Sequence, residues 1–307
     1  MKIAYLVMAH NNPGHLQRLV KALSSSSSAF FIHIDRKSRL EDFSSVKGEN
    51  VTFSQKRLPV YYFDYSHVEV ILMLLGKALA DQRCFDYFLL LSGTDYPLQP
   101  AAYIDRFFER NRGTEFMNIV PMPCEKAGKP VTRLTTYRQR PGDIKIFREM
   151  RKLAVRFGTI PEGRDYKTYL RNMAPYGGST WWALTRGACE YLQNFTHREP
   201  KVVSFFKHTE CPDESFFQTI LGNSHYKARM RRNLTYTDWS GGGAHPAYLT
   251  EKHLEFFKAS SQITMSDHYG TGELLFARKF SDQAQDIAIK LDRFIKEKED
   301  RLAKGSP

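Results

Sequence analysis

Short, wholly apolar runs alternate with stretches whose apolar positions recur every three or four residues. Ile3 to Ala9 is the first run; it ends at His10-Asn11-Asn12-Pro13, and Leu16, Leu19, Val20 and Leu23 then share one helical face. Strand, turn, helix is the pattern. Phe30 to Ile34 is a second run, closed by Asp35-Arg36-Lys37, and Val51 to Ser54 is a short third strand. Ser66 followed by Glu69 has the spacing of a capping box, and Val68 to Leu79 is apolar nearly all round, which predicts a buried helix. Tyr87 to Leu91 reads as a central strand ending at Ser92-Gly93-Thr94-Asp95-Tyr96-Pro97; a helix over 100–111 and a strand from Glu115 to Val120 follow. Such alternation predicts an α/β fold with a mostly parallel, Rossmann-like central sheet flanked by helices, and ligands at the carboxyl ends of its strands. His10, Asp35 and Asp95 then gather along one edge.

Residues 121–175 break the pattern and are basic, with Arg133, Arg138, Arg140, Lys145, Arg148, Arg151 and Lys152. They read as a helical insertion, a lid, or a solvated basic face. The second half offers Gly177 to Arg186, Pro212 to Phe217 and Leu234 to Ser240 as local signals, and 281–303 as an amphipathic helix. Residues 1–280 are expected to form a single main domain, with 281–307 as C-terminal helix and tail.

A formal net charge of +12 and a pI near 9.4 favour an anionic partner: a nucleotide, a nucleic acid or an anionic membrane surface. No aromatic-basic recognition segment supports nucleic acid. Cys84, Cys124, Cys189 and Cys211 are too widely spaced to suggest a zinc site or a disulfide scaffold. The N-terminal segment lacks the n-region, apolar core and cleavage site of a signal peptide, so a cytoplasmic location is expected.

Pro212-Asp213-Glu214 has the form of a helix start, with acids facing the positive end of the macrodipole. The same field suits a general base. Of Trp181 and Trp182, one belongs to the core. Trp239, between Asp238 and the glycines 241–243, suits stacking on a sugar whose hydroxyls meet carboxylates. His10, His33 and His245 lack metal-site spacing, and ordinary polar contacts are expected of them. An aspartate-any-aspartate triplet after Ser92 would suggest a divalent ion on a sugar nucleotide; the chain has only Gly93-Thr94-Asp95. Protein cations would then replace the metal, and Arg278-Lys279, set in the apolar run Leu274 to Phe280, are the candidates.

Taken in order, Ala4 to His10, Ile32 to Ser38, Leu91 to Leu98, Gly178 to Arg186, Pro212 to Phe217, Tyr236 to Ser240 and Phe276 to Phe280 resemble the core-2/I-branching β-1,6-N-acetylglucosaminyltransferase family. Its relatives include the peptide O-xylosyltransferases and plant glucuronosyltransferase-like proteins. The resemblance implies a GT-A-type, inverting glycosyltransferase that needs no metal and no cofactor beyond a UDP-sugar donor, most simply UDP-N-acetylglucosamine, with xylosyl or glucuronosyl transfer as alternatives. It implies Glu214 as catalytic base, Lys279 on the donor diphosphate, Asp35 at the uridine end and Trp239 in the acceptor site. His10, Arg278 and His245 join the expected donor residues, and Trp181 and Asp238 the acceptor residues. The branching enzymes carry a second diphosphate arginine between the tryptophan and the lysine, where this chain has Gly241 to Pro246; Arg278 or His245 is the expected substitute. A glycan or lipid-linked saccharide is the expected acceptor, and nucleic acid is not an expected partner. The lack of an anchor and of a dense cysteine framework suggests a bacterial cytoplasmic member, peripheral at the inner membrane face.

Overall fold

The computed structural model describes residues 1–243, 245–260, 262–281 and 285–303. Strand β1 (Ile3–Ala9) leads into helix α1 (Pro13–Leu23) through the expected turn. There the Asn12 side chain accepts the His15 amide at 3.0 Å and Pro13 takes the first helical position, so the polar tetrapeptide both ends the strand and caps the helix. Strand β2 (Ser28–Ile34), β3 (Val51–Phe53), α2 (Ser66–Leu79), β4 (Tyr87–Ser92), β5 (Tyr96–Pro97), α3 (Ala101–Arg110) and β6 (Glu115–Met117) follow.

Two details correct the sequence reading. Ser66 is no N-cap: its hydroxyl accepts the Tyr61 amide at 2.9 Å, its own amide goes to Asp64, and Glu69 pairs with Arg140. The strand expected to reach Val120 stops at Met117, because the Asn118 side chain accepts the Asn233 amide at 2.8 Å and the chain turns.

Residues Val120–Pro121 (β7) and Tyr176–Gly177 (β8) pair antiparallel and close the neck of the insertion, which carries α4 (Thr132–Thr135), α5 (Lys145–Arg156) and α6 (Tyr166–Leu170). The chain continues as β9 (Trp182–Thr185), α7 (Arg186–Arg198), α8 (Pro200–Lys207), α9 (Phe216–Gly222), β10 (Met230–Arg231) and β11 (Thr235–Thr237). Helix α10 (Glu251–Lys258), the hairpin β12 (Thr264–Asp267) and β13 (Gly270–Glu273), β14 (Phe276–Arg278) and α11 (Gln285–Ala303) complete it. Of the expected C-terminal segment, residues 282–284 and 304–307 lie outside the described residues.

The central sheet runs β10-β6-β9-β4-β1-β2-β3. Four of its six pairings are parallel; β9 lies antiparallel between β4 and β6. Ile3, Tyr5, Val7 and Ala9 face a core built with α1, α3, α10 and α11, while Ala4 and Leu6 face one built with α2, α7, α8 and α9. Covering both faces is why β1 reads as a continuous apolar run rather than an alternating one. Ile287, Leu291 and Ile295 make α11 part of the first core. A second sheet, β11-β14-β5, runs parallel between β11 and β14 and antiparallel between β14 and β5.

Candidate active site

The carboxyl ends of β1, β2 and β4 meet. The Asp35 amide donates to the Ala9 carbonyl and the Gly93 amide to the Met8 carbonyl, both at 2.8 Å. Only glycine fits at 93, since a Cβ there would stand 2.6 Å from that of Ala9. His10, Asp35 and Asp95 therefore share the edge their positions predicted. Asp35 is buried and accepts the Lys37 amide at 2.8 Å and the Val60 amide at 3.3 Å, with the Lys37 ammonium 3.3 Å away. Neighbouring His33 accepts the Leu58 amide at 3.0 Å, and burial pulls its pKa down to about 4, which makes it a neutral strut. His10 is exposed, and its carbonyl takes the Ser38 hydroxyl at 2.5 Å.

The second sheet brings Arg278 and Lys279 to this edge, and the Phe280 amide donates to the Thr94 carbonyl at 3.0 Å. Arg278 Nε lies 3.3 Å from Asp95 Oδ1, and its guanidinium stacks on Trp181 at 4.0 Å from the ring centroid. Burial raises the fully buried Asp95 carboxyl to about 6 even though Arg278 and the Ser92 amide oppose the shift. Burial also lowers the Arg278 pKa, which Asp95 resists. Arg278 is thus a paired, largely buried cation rather than an open one. Lys279 differs: its Nζ lies 5.1 Å from the Tyr248 ring centroid, and its carbonyl accepts the Leu249 amide at 2.9 Å. The tryptophan pair divides as expected, with Trp182 in the core and Trp181 at the site.

Glu214 stands in a short turn, Pro212–Glu214, that precedes α9. The Gly178 amide fixes its backbone by donating to the Glu214 carbonyl at 2.8 Å, and Gly178 tolerates no side chain: a Cβ would lie 1.7 Å from the Asn118 carbonyl oxygen. Lys129 Nζ at 2.5 Å and Arg133 Nη1 at 2.6 Å both donate to Glu214 Oε2. Among the described residues none donates to Oε1. Burial works to raise the Glu214 pKa, but the two cations outweigh it and hold the carboxylate below its ordinary value. These cations keep Glu214 ionised. Next to it, Asp213 accepts the Thr180 hydroxyl at 2.6 Å.

Lys129 and Arg133 escaped sequence reading. Arg133 looked like one of many solvated cations, and Lys129 stands alone between Gly128 and Pro130. Both are drawn in from the insertion, a contact of long sequence separation that no local pattern encodes. Tyr62 was also missed. Its hydroxyl lies 2.9 Å from His245 Nδ1, and its pKa is raised by burial and by Cys211, Glu214 and Asp213 against Arg278, so Tyr62 lies within electrostatic reach of both the Glu214 turn and Arg278.

The expected acceptor residues are less concentrated. Thr237 pairs with Arg278 at the end of β11, and beyond it the Asp238 and Lys279 carbonyls accept the Ala247 and Leu249 amides. Asp238, however, accepts the Ser240 amide at 2.8 Å and contacts His253 Nε2 at 3.1 Å, so it organises its loop. Trp239 is 55% exposed, and Ala244 in the following loop lies outside the described residues. No group of three or more His, Cys, Asp or Glu among the described residues is arranged to hold a metal ion.

Comparison with known proteins supplies a lineage. The chain is 27% identical over 253 residues to xylosyltransferase 2 of Rattus norvegicus, an overlap of 78% of this chain and 27% of that one. To xylosyltransferase 1 of Canis lupus familiaris it is 28% identical over 251 residues, covering 78% of this chain and 24% of the relative. The chain therefore spans about a quarter of the length of these curated relatives. Among solved structures, a 4-diphosphocytidyl-2C-methyl-D-erythritol synthase aligns with a TM-score of 0.33 and 12% identity, over 74% of this chain and 96% of that one. The profile of the Core-2/I-Branching enzyme family matches residues 3–260, most of the chain and every segment of the candidate site up to α10. The chain belongs to the Core-2/I-Branching enzyme family of glycosyltransferases.

Proposed function

We propose that this protein moves a sugar from a UDP-sugar to a hydroxyl of a glycan or lipid-linked saccharide, with inversion and without a metal ion, on a GT-A-type scaffold. The observation that carries the reading is the Glu214 carboxylate, ionised by two cations on Oε2 with Oε1 left for a substrate proton. The acceptor hydroxyl gives its proton to Oε1 while its oxygen bonds to the anomeric carbon. The bond from that carbon to the diphosphate breaks on the opposite face, and its electron pair leaves with UDP. Lys279 meets the growing negative charge. Arg278, neutralised in part by Asp95, orients the diphosphate, and His245, bonded to Tyr62, is the other candidate for that role. Metal independence is proposed because β4 ends with the one carboxylate of Asp95, itself committed to Arg278.

N-acetylglucosamine is the donor sugar first proposed. The relatives' names favour a second reading, transfer of xylose. Turnover of UDP-N-acetylglucosamine against UDP-xylose, with and without EDTA, decides between them and tests the metal question. Glu214→Gln is expected to cut transfer by about 10²- to 10⁴-fold while UDP affinity, read by calorimetry, stays near the parent value. Equal loss of both would reject Glu214 as base.

A further inference from the structure

We propose that the outer face of α5 is a docking surface for an anionic lipid bilayer. Ile146, Met150, Leu153 and Phe157 recur at i, i+4, i+7 and i+11, which puts them on one face of the helix and its end. Each is more than half exposed, Phe157 reaching 77%, and Ile144 at the helix start is exposed too. Buried helices turn such a stripe inward. Here Arg151, on the opposite side of α5, lies 3.7 Å from the Tyr137 ring centroid, and that ring stacks on His208 of the body, which leaves the stripe facing out.

Charge selects the occupant. Lys145, Lys152 and Arg156 flank the stripe, while Arg148 and Arg151 turn to the opposite side, and Glu149, the one acid of the helix, is 2.9 Å from Lys152. A second copy packed on this face would set like charges against each other. A nucleic acid would match the cations and leave the apolar stripe in water. An anionic bilayer satisfies both, with head groups on the cations and the apolar side chains entering the acyl boundary. Among the described residues no helix is long and apolar enough to cross a membrane, so contact would be along the surface. The same insertion supplies Lys129 and Arg133 to Glu214, so docking would bring a membrane-borne acceptor close to the base.

Co-sedimentation with vesicles of phosphatidylcholine alone or mixed with phosphatidylglycerol tests the surface. The parent protein is expected to bind the mixed vesicles, to release them as salt rises, and to ignore phosphatidylcholine alone. A variant carrying Ile146→Ser, Met150→Ser, Leu153→Ser and Phe157→Ser is expected to bind the mixed vesicles about tenfold more weakly or worse. UDP binding, which these positions do not touch, should remain and certify the fold. A second variant, Lys145→Gln with Lys152→Gln and Arg156→Gln, should lose binding while keeping the stripe. Failure of the parent protein to bind mixed vesicles, equal binding by either variant, or a dimer that the serine variant dissolves would overturn the proposal. Loss of sugar transfer with vesicle binding intact would count against the catalytic reading alone.

Discussion

Placing two cations on one carboxylate oxygen makes Glu214 a weak base that is always ready. Its folded pKa lies below the ordinary value, so the acid limb of activity should fall at low pH, as the carboxylate takes up a proton. Lys129→Met removes one of the two opposing charges and should raise the Glu214 pKa. The acid limb of kcat/KM then moves to higher pH by the same interval; an unmoved limb would show that Glu214 does not govern the profile. The neighbouring cations should separate in kind. Lys279→Ala is expected to weaken UDP binding about tenfold with little change in Tm, as loss of a charged hydrogen bond does. Arg278→Ala leaves Asp95 buried and alone, and should cost about 3 kcal/mol of stability at pH 8. Because burial already raises Asp95 to about 6, its charge is a cost above that pH and is relieved as pH falls through it. Denaturant unfolding should accordingly show a smaller Arg278→Ala loss at pH 5 than at pH 8. Equal losses at the two values would mean that Arg278 does not serve to neutralise Asp95.

At the scale of elements, the loop between β8 and β9 sets the precision of the site. Gly178 touches the Asn118 carbonyl on one side and donates to the Glu214 carbonyl on the other, so it ties the end of β6 to the base. Gly178→Ala drives a methyl into that carbonyl, and the loop must move and take Glu214 with it. A loss of about 3 kcal/mol in urea unfolding, with a fall in kcat larger than the change in UDP affinity, is the expected result. Unchanged kcat in a folded variant would show that the loop does not position the base. Elements of this kind are where sequence reading divides. Strands β1, β2 and β4 are legible because each is buried on both faces and so contiguous in apolar residues. The Ser66 capping box was a false signal, because a pattern of two residues cannot show that Tyr61 claims the hydroxyl and Arg140 the carboxylate. The shared edge of His10, Asp35 and Asp95 followed from strand ends alone. Lys129 and Arg133 could not, since their partner lies more than 80 residues away.

Across the whole molecule, the insertion is tied to the α/β body by charges as well as by Leu134 and Leu170, which are buried in the core shared with α2, α7, α8 and α9. Arg140 reaches Asp64 at 3.2 Å and Glu69 at 3.1 Å, Arg138 reaches Glu210 at 3.5 Å, and Arg164 Nη1 donates to the His208 carbonyl at 2.6 Å. The basic character of 121–175 therefore has three separate uses: fastening, holding Glu214, and, on our proposal, facing lipid. Asp64 is buried, and Arg140 holds it below the ordinary carboxylate range against the effect of burial, so this pair should matter most among the fasteners. Arg140→Met strands that carboxylate and should loosen the insertion without unfolding the sheet. Hydrogen exchange is then expected to quicken about tenfold or more at the amides of α4 and the adjoining turn, with β1 and β4 unchanged. As Lys129 and Arg133 lose their fixed distance from Oε2, the Glu214 pKa should rise, and the acid limb of kcat/KM should shift upward along with the exchange rates. Faster exchange spread evenly over the chain would show that body and insertion open as one unit. Faster exchange in α4 with an unmoved acid limb would show that the hold on Glu214 does not depend on how the insertion is fastened.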